Sequence, residues 1–304
     1  MDATTAPQTR PAFPAPSAVL ALLKPITWFP PMWAYACGTV SVGAVSPERW
    51  PYIIGGIILA GPLICGGSQA INDWFDRHVD AINEPDRVIP SGRMPGRWGL
   101  YIALIWTVLS FAVAALLGPW VLVAATIGIA FAWAYSMPPF RLKLNGWWGN
   151  GAVGFSYESL PWMTAAAAAL GTLPPGPVLV VALLYGLGAH GIMTINDFKA
   201  IEGDTQMGVR SLPVQLGAKR AALVASLVMA VPQAIVIAIL FALAMPWHAA
   251  AIAVLLLVQA GAMVRFVGNP LKFDVWFSAI GVGLYVTGMM IAAFALRAAT
   301  APTV

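Results

Sequence analysis

The sequence is short of charge. Only 9% of its 304 residues are Asp, Glu, Lys or Arg, 60% are hydrophobic and the mean hydropathy is +0.79, a balance that excludes an ordinary soluble domain. Cysteine is scarce as well. Cys37 and Cys65 both lie inside apolar runs, which excludes a disulfide framework or a thiolate metal site and reads both as small buried hydrophobes. No apolar stretch opens the chain, because residues 1–16 are rich in Pro, Ala and Thr with a single basic residue, Arg10. A signal peptide is therefore not expected there, and the segment is read as a disordered cytoplasmic tail. No low-complexity segment or soluble insertion interrupts residues 17–304, which are expected to form one transmembrane domain.

Apolar runs of about 20 residues, long enough to cross a bilayer, are expected at 26–45, 51–73, 98–117, 119–137, 149–170, 177–197, 218–244, 247–266 and 274–297. The fold class is an all-α polytopic membrane protein of nine helices. Nine spans place the termini on opposite sides, and the N-terminal side then collects fourteen of the 16 Lys and Arg residues. Only Arg49 and Arg297 remain for the other side, so the positive-inside rule makes the N-terminal side cytoplasmic.

The few charges are concentrated. Asn72-Asp73-Trp74-Phe75-Asp76-Arg77-His78-Val79-Asp80 closes the second run, and on a helix Asn72, Asp73, Asp76 and Asp80 share one face. Three anions at a helix C-terminus repel each other and oppose the macrodipole, so a cation is expected among them. Oxygen donors without a His or Cys partner suit Mg²⁺, which takes one or two carboxylates and completes its shell with water and phosphate. A second copy, Asn196-Asp197-Phe198-Lys199-Ala200-Ile201-Glu202-Gly203-Asp204, closes the sixth run and again places an Asp eight residues after the Asn. Ala200 stands where Asp76 stands in the first copy, and Glu202 is a candidate replacement.

Basic residues follow both copies: Arg87 and Arg93 after the first, Arg210 after the second, with Lys199 inside it. Guanidinium groups bind phosphate oxygens bidentately, and a diphosphate is the ligand such a set suits. The stretch Tyr135 to Asn150 adds Arg141 and Lys143 from the same side, after Pro138-Pro139 ends its helix. The bland alternative for all these cations is topogenic charge. Within the spans, Tyr157-Glu158 and His190 stand out, because an ionisable group in a membrane helix must face a cavity or a polar partner. His190 falls on nearly the same face as Asp197 and is a candidate to ligate or hydrogen-bond a substrate. Helices three and four carry no such chemistry and read as scaffold.

Together these residues resemble the UbiA-type intramembrane prenyltransferases, and the stretches 135–150, 156–162 and 196–204 look like that family's chlorophyll synthase branch. The family's first motif, Asn-x-x-x-Asp-x-x-x-Asp, is matched by Asn72, Asp76 and Asp80. Its second, Asp-x-x-x-Asp, falls on Ala200 and Asp204, so Asp197 or Glu202 is expected to compensate. The resemblance covers nearly the whole chain and implies nine helices around a central cavity. It implies Mg²⁺ held by Asn72, Asp73, Asp76, Asp80, Asp197, Glu202 and Asp204, and a diphosphate held by Arg87, Arg93, Arg141, Lys143, Lys199 and Arg210. The implied substrates are geranylgeranyl (or phytyl) diphosphate and bacteriochlorophyllide a, in a bacterial inner membrane. The nucleophile would be a propionate, ionised at neutral pH, so no general base is expected.

Tyr135 and Trp74 would stabilise an allylic cation, and Tyr157, Glu158 and His190 would bind the acceptor. Membrane lipid and other pigment-biosynthesis enzymes are the expected partners, and nucleic acid is not. A related prenyltransferase acting on chlorophyllide, a quinone precursor or haem would share the diphosphate site. An ion-coupled transporter would need its site near the bilayer midplane, and a pigment-binding assembly protein would leave both acidic motifs unexplained.

Overall fold

The computed structural model describes residues 13–300, so most of the expected polar tail, Arg10 included, lies outside the described residues. In chain order the helices are α1 (Pro16–Leu23), α2 (Phe29–Ser41), α3 (Trp50–Ile58), α4 (Gly66–Asn83), α5 (Trp98–Leu117), α6 (Pro119–Ser136), α7 (Gly146–Gly154) and α8 (Leu160–Leu170). They continue with α9 (Gly176–Asn196), α10 (Ile201–Gln206), α11 (Leu212–Leu216), α12 (Ala218–Ala242), α13 (Pro246–Gly268) and α14 (Pro270–Thr300). Proline opens α1, α6, α13 and α14, at the position where its missing N–H has no intrahelical partner to lose.

Seven helical rods among the described residues are long and apolar enough to cross a membrane, at 47–83, 98–117, 119–136, 176–206, 218–242, 246–268 and 270–299. The protein is a multi-pass membrane protein. The other two stretches expected as spans are not single long helices but consist of shorter pieces. Residues 26–45 comprise a 3₁₀ turn, Pro25–Trp28, and the 13-residue α2, and residues 149–170 comprise α7, a π turn at Phe155–Ser159 and α8. A second π turn, Leu59–Cys65, joins α3 to α4. Pro62 lies inside that turn, and Pro161 lies two residues past the end of the other. Proline cannot donate the i→i−4 bond, and a widened turn absorbs the loss.

The run expected to stop at residue 73 instead continues unbroken to Asn83. The first acidic motif therefore projects on a rigid rod past the apolar stretch. Small residues set the spacing of the bundle: a Cβ on Gly38 of α2 would collide with the Trp162 carbonyl of α8, and one on Gly154 of α7 would lie 2.6 Å from the Gly186 carbonyl of α9. α9 packs against α7, α12 and α14. Beside it Trp162 stacks on Tyr185 at 5.8 Å, and Tyr185 meets Tyr285 edge-on at 5.3 Å. Leu104, Val108, Leu116, Val123, Leu257 and Val264 point outward, as lipid-facing side chains do.

Candidate active site

Helices α2, α4, α6, α7, α9 and α14, with both π turns, enclose a cavity of about 610 Å³, a size suited to a small-molecule site. Its wall is largely apolar, with Ile64, Phe131, Ala132, Ile192 and Val282 among the lining residues. At one end it carries Asn72 from the middle of α4, with Tyr135 and Asn196 from the last turns of α6 and α9. The first residue of each motif thus faces one common space. On α9 the lining stripe is Ala189, Ile192, Met193 and Asn196, the spacing of a single helix face.

Beyond Asn72 the acids of α4 part company. Asp73, 3% exposed, accepts from Lys24 Nζ at 2.7 Å and from Arg87 Nη1 at 3.5 Å. The same guanidinium donates to Asp80 at 3.0 Å, and its Nε donates to Glu84. Asp76 turns the other way, pairing with Lys143 and lying 4.0 Å from Arg141, while Asn72 donates to Ser136 Oγ at 3.1 Å. Burial works against the Arg87 charge, but the Glu84 bond and the Asp80 and Asp73 carboxylates together hold its pKa above the usual value. Burial likewise pulls Lys143 below its usual value, and Asp76 pushes back. Lys24 was not foreseen in this role. Its sequence signal was a lone cation at the start of a span, which the positive-inside rule already explained.

In the second motif, Asp197 begins a 3₁₀ turn, Asp197–Ala200, and accepts from Asn150 Nδ2 at 2.9 Å. Asn150 also donates to Thr194 Oγ1 at 3.2 Å, so α7 clamps the end of α9. Tyr135, on the last turn of α6, lines the cavity together with Asn72 and Asn196, the first residue of each motif. Among the described residues no three Asp, Glu, His or Cys side chains are gathered into a metal cage; Lys143, Arg141 and Arg87 stand between them instead.

Two loops are tied together beside these acids. Arg210 N donates to Leu144 O at 2.9 Å and Gly146 N to Arg210 O at 2.8 Å, joining the Lys143 loop to the segment after the second motif. A Cβ on Gly146 would lie 2.6 Å from the Leu212 backbone nitrogen. Gly146→Val is therefore expected to part the loops, lowering stability by about 1–3 kcal/mol. Displacing Lys143 by an ångström should cost roughly tenfold or more in activity. Unchanged melting and unchanged turnover would show that the tie is immaterial.

Several expected site residues stand elsewhere. Trp74 does not line the cavity; Arg77 stacks on its ring at 4.1 Å, because a residue two positions from Asn72 lies about 200° around the helix. His190 shares its helix face with Thr194 and Asp197, but that face packs on α7, so its ring meets Trp147 at 5.8 Å and is absent from the cavity wall. Arg93 is exposed and folds back onto Asp86 O and Ser91 Oγ. Lys199, Glu202 and Arg210 are exposed, and among the described residues they make no ion pair with the motif acids. Tyr157 and Glu158 do line the cavity, joined by Gln69, Ser68 and Cys65. Gln69 could have been found as a polar residue one turn before Asn72.

A helical membrane bundle whose apolar cavity ends beneath two acidic motifs is the architecture of an intramembrane transferase. The profile described as the UbiA prenyltransferase family matches residues 25–279, and the chain belongs to that family. It is similar to the bacteriochlorophyll synthase 33 kDa chain of Cereibacter sphaeroides, 58% identical over 284 residues, covering 93% of this chain and 94% of that protein. The protein of the same description from Rhodobacter capsulatus is 53% identical over 303 residues, covering 99% and 100%. The solved structure of a UbiA homologue from Archaeoglobus fulgidus bound to DMAPP and Mg²⁺ shares the fold, with a TM-score of 0.64, 18% identity and coverage of 88% of this chain and 99% of that one.

Proposed function

We propose that this membrane prenyltransferase transfers a geranylgeranyl (or phytyl) group from its diphosphate to the propionate carboxylate of bacteriochlorophyllide a, in bacteriochlorophyll synthesis. The observation that carries the reading is the apolar cavity of about 610 Å³ ending at Asn72, Tyr135 and Asn196, directly below the acids and their Lys and Arg partners. A hydrocarbon tail suits its walls, and a diphosphate suits its charged end. Similarity to relatives named bacteriochlorophyll synthase supports the acceptor. The charge asymmetry of the loops supports a charged end on the cytoplasmic side of a bacterial inner membrane.

The donor set is all oxygen, which fits a hard cation such as Mg²⁺. Asn72, Asp76 and Asp80 would hold it from one side, Asp197 and Asp204 from the other. Mg²⁺ held there would neutralise charge on the departing diphosphate. Lys143, Arg141 and Arg87 bind phosphate oxygens, and the apolar wall excludes water from the allylic carbon. The C–O bond to diphosphate breaks and its electron pair leaves with the diphosphate. A propionate oxygen forms the new C–O bond, and no proton has to move. Asp73, engaged by Lys24 and Arg87, positions α4 rather than binding metal.

The test is purified protein in detergent with geranylgeranyl diphosphate and bacteriochlorophyllide a, with and without Mg²⁺, followed by chromatography of the pigment. Ester is expected with Mg²⁺ and only background after chelation. Ester formed equally in chelator would overturn the metal assignment. Prenylated quinone precursor or haem, with no pigment ester, would overturn the acceptor.

A further inference from the structure

The π turn Phe155–Ser159 presents three consecutive polar side chains, Ser156, Tyr157 and Glu158, to the apolar cavity. Glu158 is 5% exposed. Its Oε2 and the Ser156 Oγ are buried with no hydrogen-bond partner. The Tyr157 oxygen accepts from Gln69 Nε2 at 3.1 Å and lies 3.4 Å from Cys65 Sγ, whose thiol also reaches the Thr27 carbonyl at 3.3 Å. Measured along α4 from Asn72, Cys65 lies about 10 Å deeper at 1.5 Å per residue. The three groups therefore sit well below the charged end, where the prenyl tail alone would offer them nothing.

Each buried polar atom left unpaired costs about 1–3 kcal/mol. Two such atoms flanking the Tyr157 hydroxyl on one widened turn form an arrangement that a ligand with oxygen acceptors would satisfy, and π turns within helices occur frequently at functional sites. No Lys or Arg among the described residues pairs with Glu158. A bare carboxylate there would lose its hydration with no countercharge, so the wall accommodates the acid form, a donor. Both substrates of the proposed reaction are anions, which a neutral donor tolerates and a carboxylate repels.

The geometry points to a hydrogen-bond-donor shelf, Ser156, Tyr157 and Glu158, that binds peripheral carbonyl oxygens of the acceptor macrocycle and fixes which of its edges meets the charged end. This deepens the acceptor assignment above and rests on it. The test is equilibrium binding of bacteriochlorophyllide a to the full chain in Mg²⁺-free detergent, read by pigment fluorescence. Affinity for geranylgeranyl diphosphate is measured in parallel, with Mg²⁺ present. Glu158→Leu is expected to weaken pigment binding by about tenfold, one lost buried hydrogen bond, and to leave the diphosphate affinity unchanged, which also reports a folded site. Glu158→Gln, which keeps an N–H donor, should recover most of the loss. Equal pigment binding by wild type and Glu158→Leu overturns the shelf and leaves the reaction standing, as does a Glu158→Gln as weak as the Leu variant. Absence of pigment binding in the wild type instead brings down the acceptor assignment and the shelf with it.

Discussion

Asp76→Ala is expected to reduce pigment esterification by at least about a hundredfold in kcat/KM, in the range seen when a group that stabilises transition-state charge is removed. Asp76 is the acid of α4 that faces the Lys143 loop, with its side chain 18% exposed and paired to Lys143 and near Arg141. Asp73 is the natural control. It is an aspartate three residues away, yet 3% exposed and held by Lys24, so Asp73→Asn should act chiefly on stability. Steady-state rates with varied Mg²⁺ separate the two, since loss of a metal ligand raises the Mg²⁺ requirement and loss of a positioning carboxylate does not. If Asp76→Ala retains wild-type rates at low Mg²⁺, Asp76 is neither ligand nor electrostatic anchor.

The second large effect is structural. Arg87→Ala should lower the stability of the detergent-solubilised protein by about 2 kcal/mol, below the ~3–5 kcal/mol of a fully buried pair because the guanidinium is partly solvated. One side chain, 28% exposed, holds Asp73, Asp80 and Glu84. Its removal leaves Asp80, 9% exposed, without a cation. Arg87→Lys should restore only part of the loss, because a single ammonium lacks the planar fork that reaches several carboxylates at once. Thermal unfolding followed by tryptophan fluorescence reads the difference. An unchanged midpoint for Arg87→Ala would show that Lys24 alone secures the end of α4.

Much of the site was legible because its chemistry is written in periodic sequence. Asn72 and Asn196 each open an acidic motif at the end of an apolar run, and the structure brings both to one cavity. Two of the expected residues lie off the cavity wall for geometric reasons. Trp74 sat inside the motif and shared its composition, but composition does not carry the angle around a helix. His190 was correctly aligned with Asp197, yet alignment on a face says nothing about which neighbour covers it; Gly154 lets α7 close over that face. Lys24 lay 49 residues from its partner Asp73, beyond the reach of any local pattern.

The sequence by itself determined the membrane setting, the helical class, the side on which charge collects and the repeated oxygen-donor motifs, since each follows from local composition and from a period of 3.6 residues. Only the tertiary structure decided how the charges pair: Asp73 and Asp80 with Arg87 and Lys24, Asp76 with Lys143 and Arg141. It also decided that Ser156, Tyr157 and Glu158 face the same cavity as the two motifs. Both depend on which helices and loops meet across the bundle, as where glycines let α7 and α9 approach closely. Those are properties of side chains meeting across the bundle rather than along the chain.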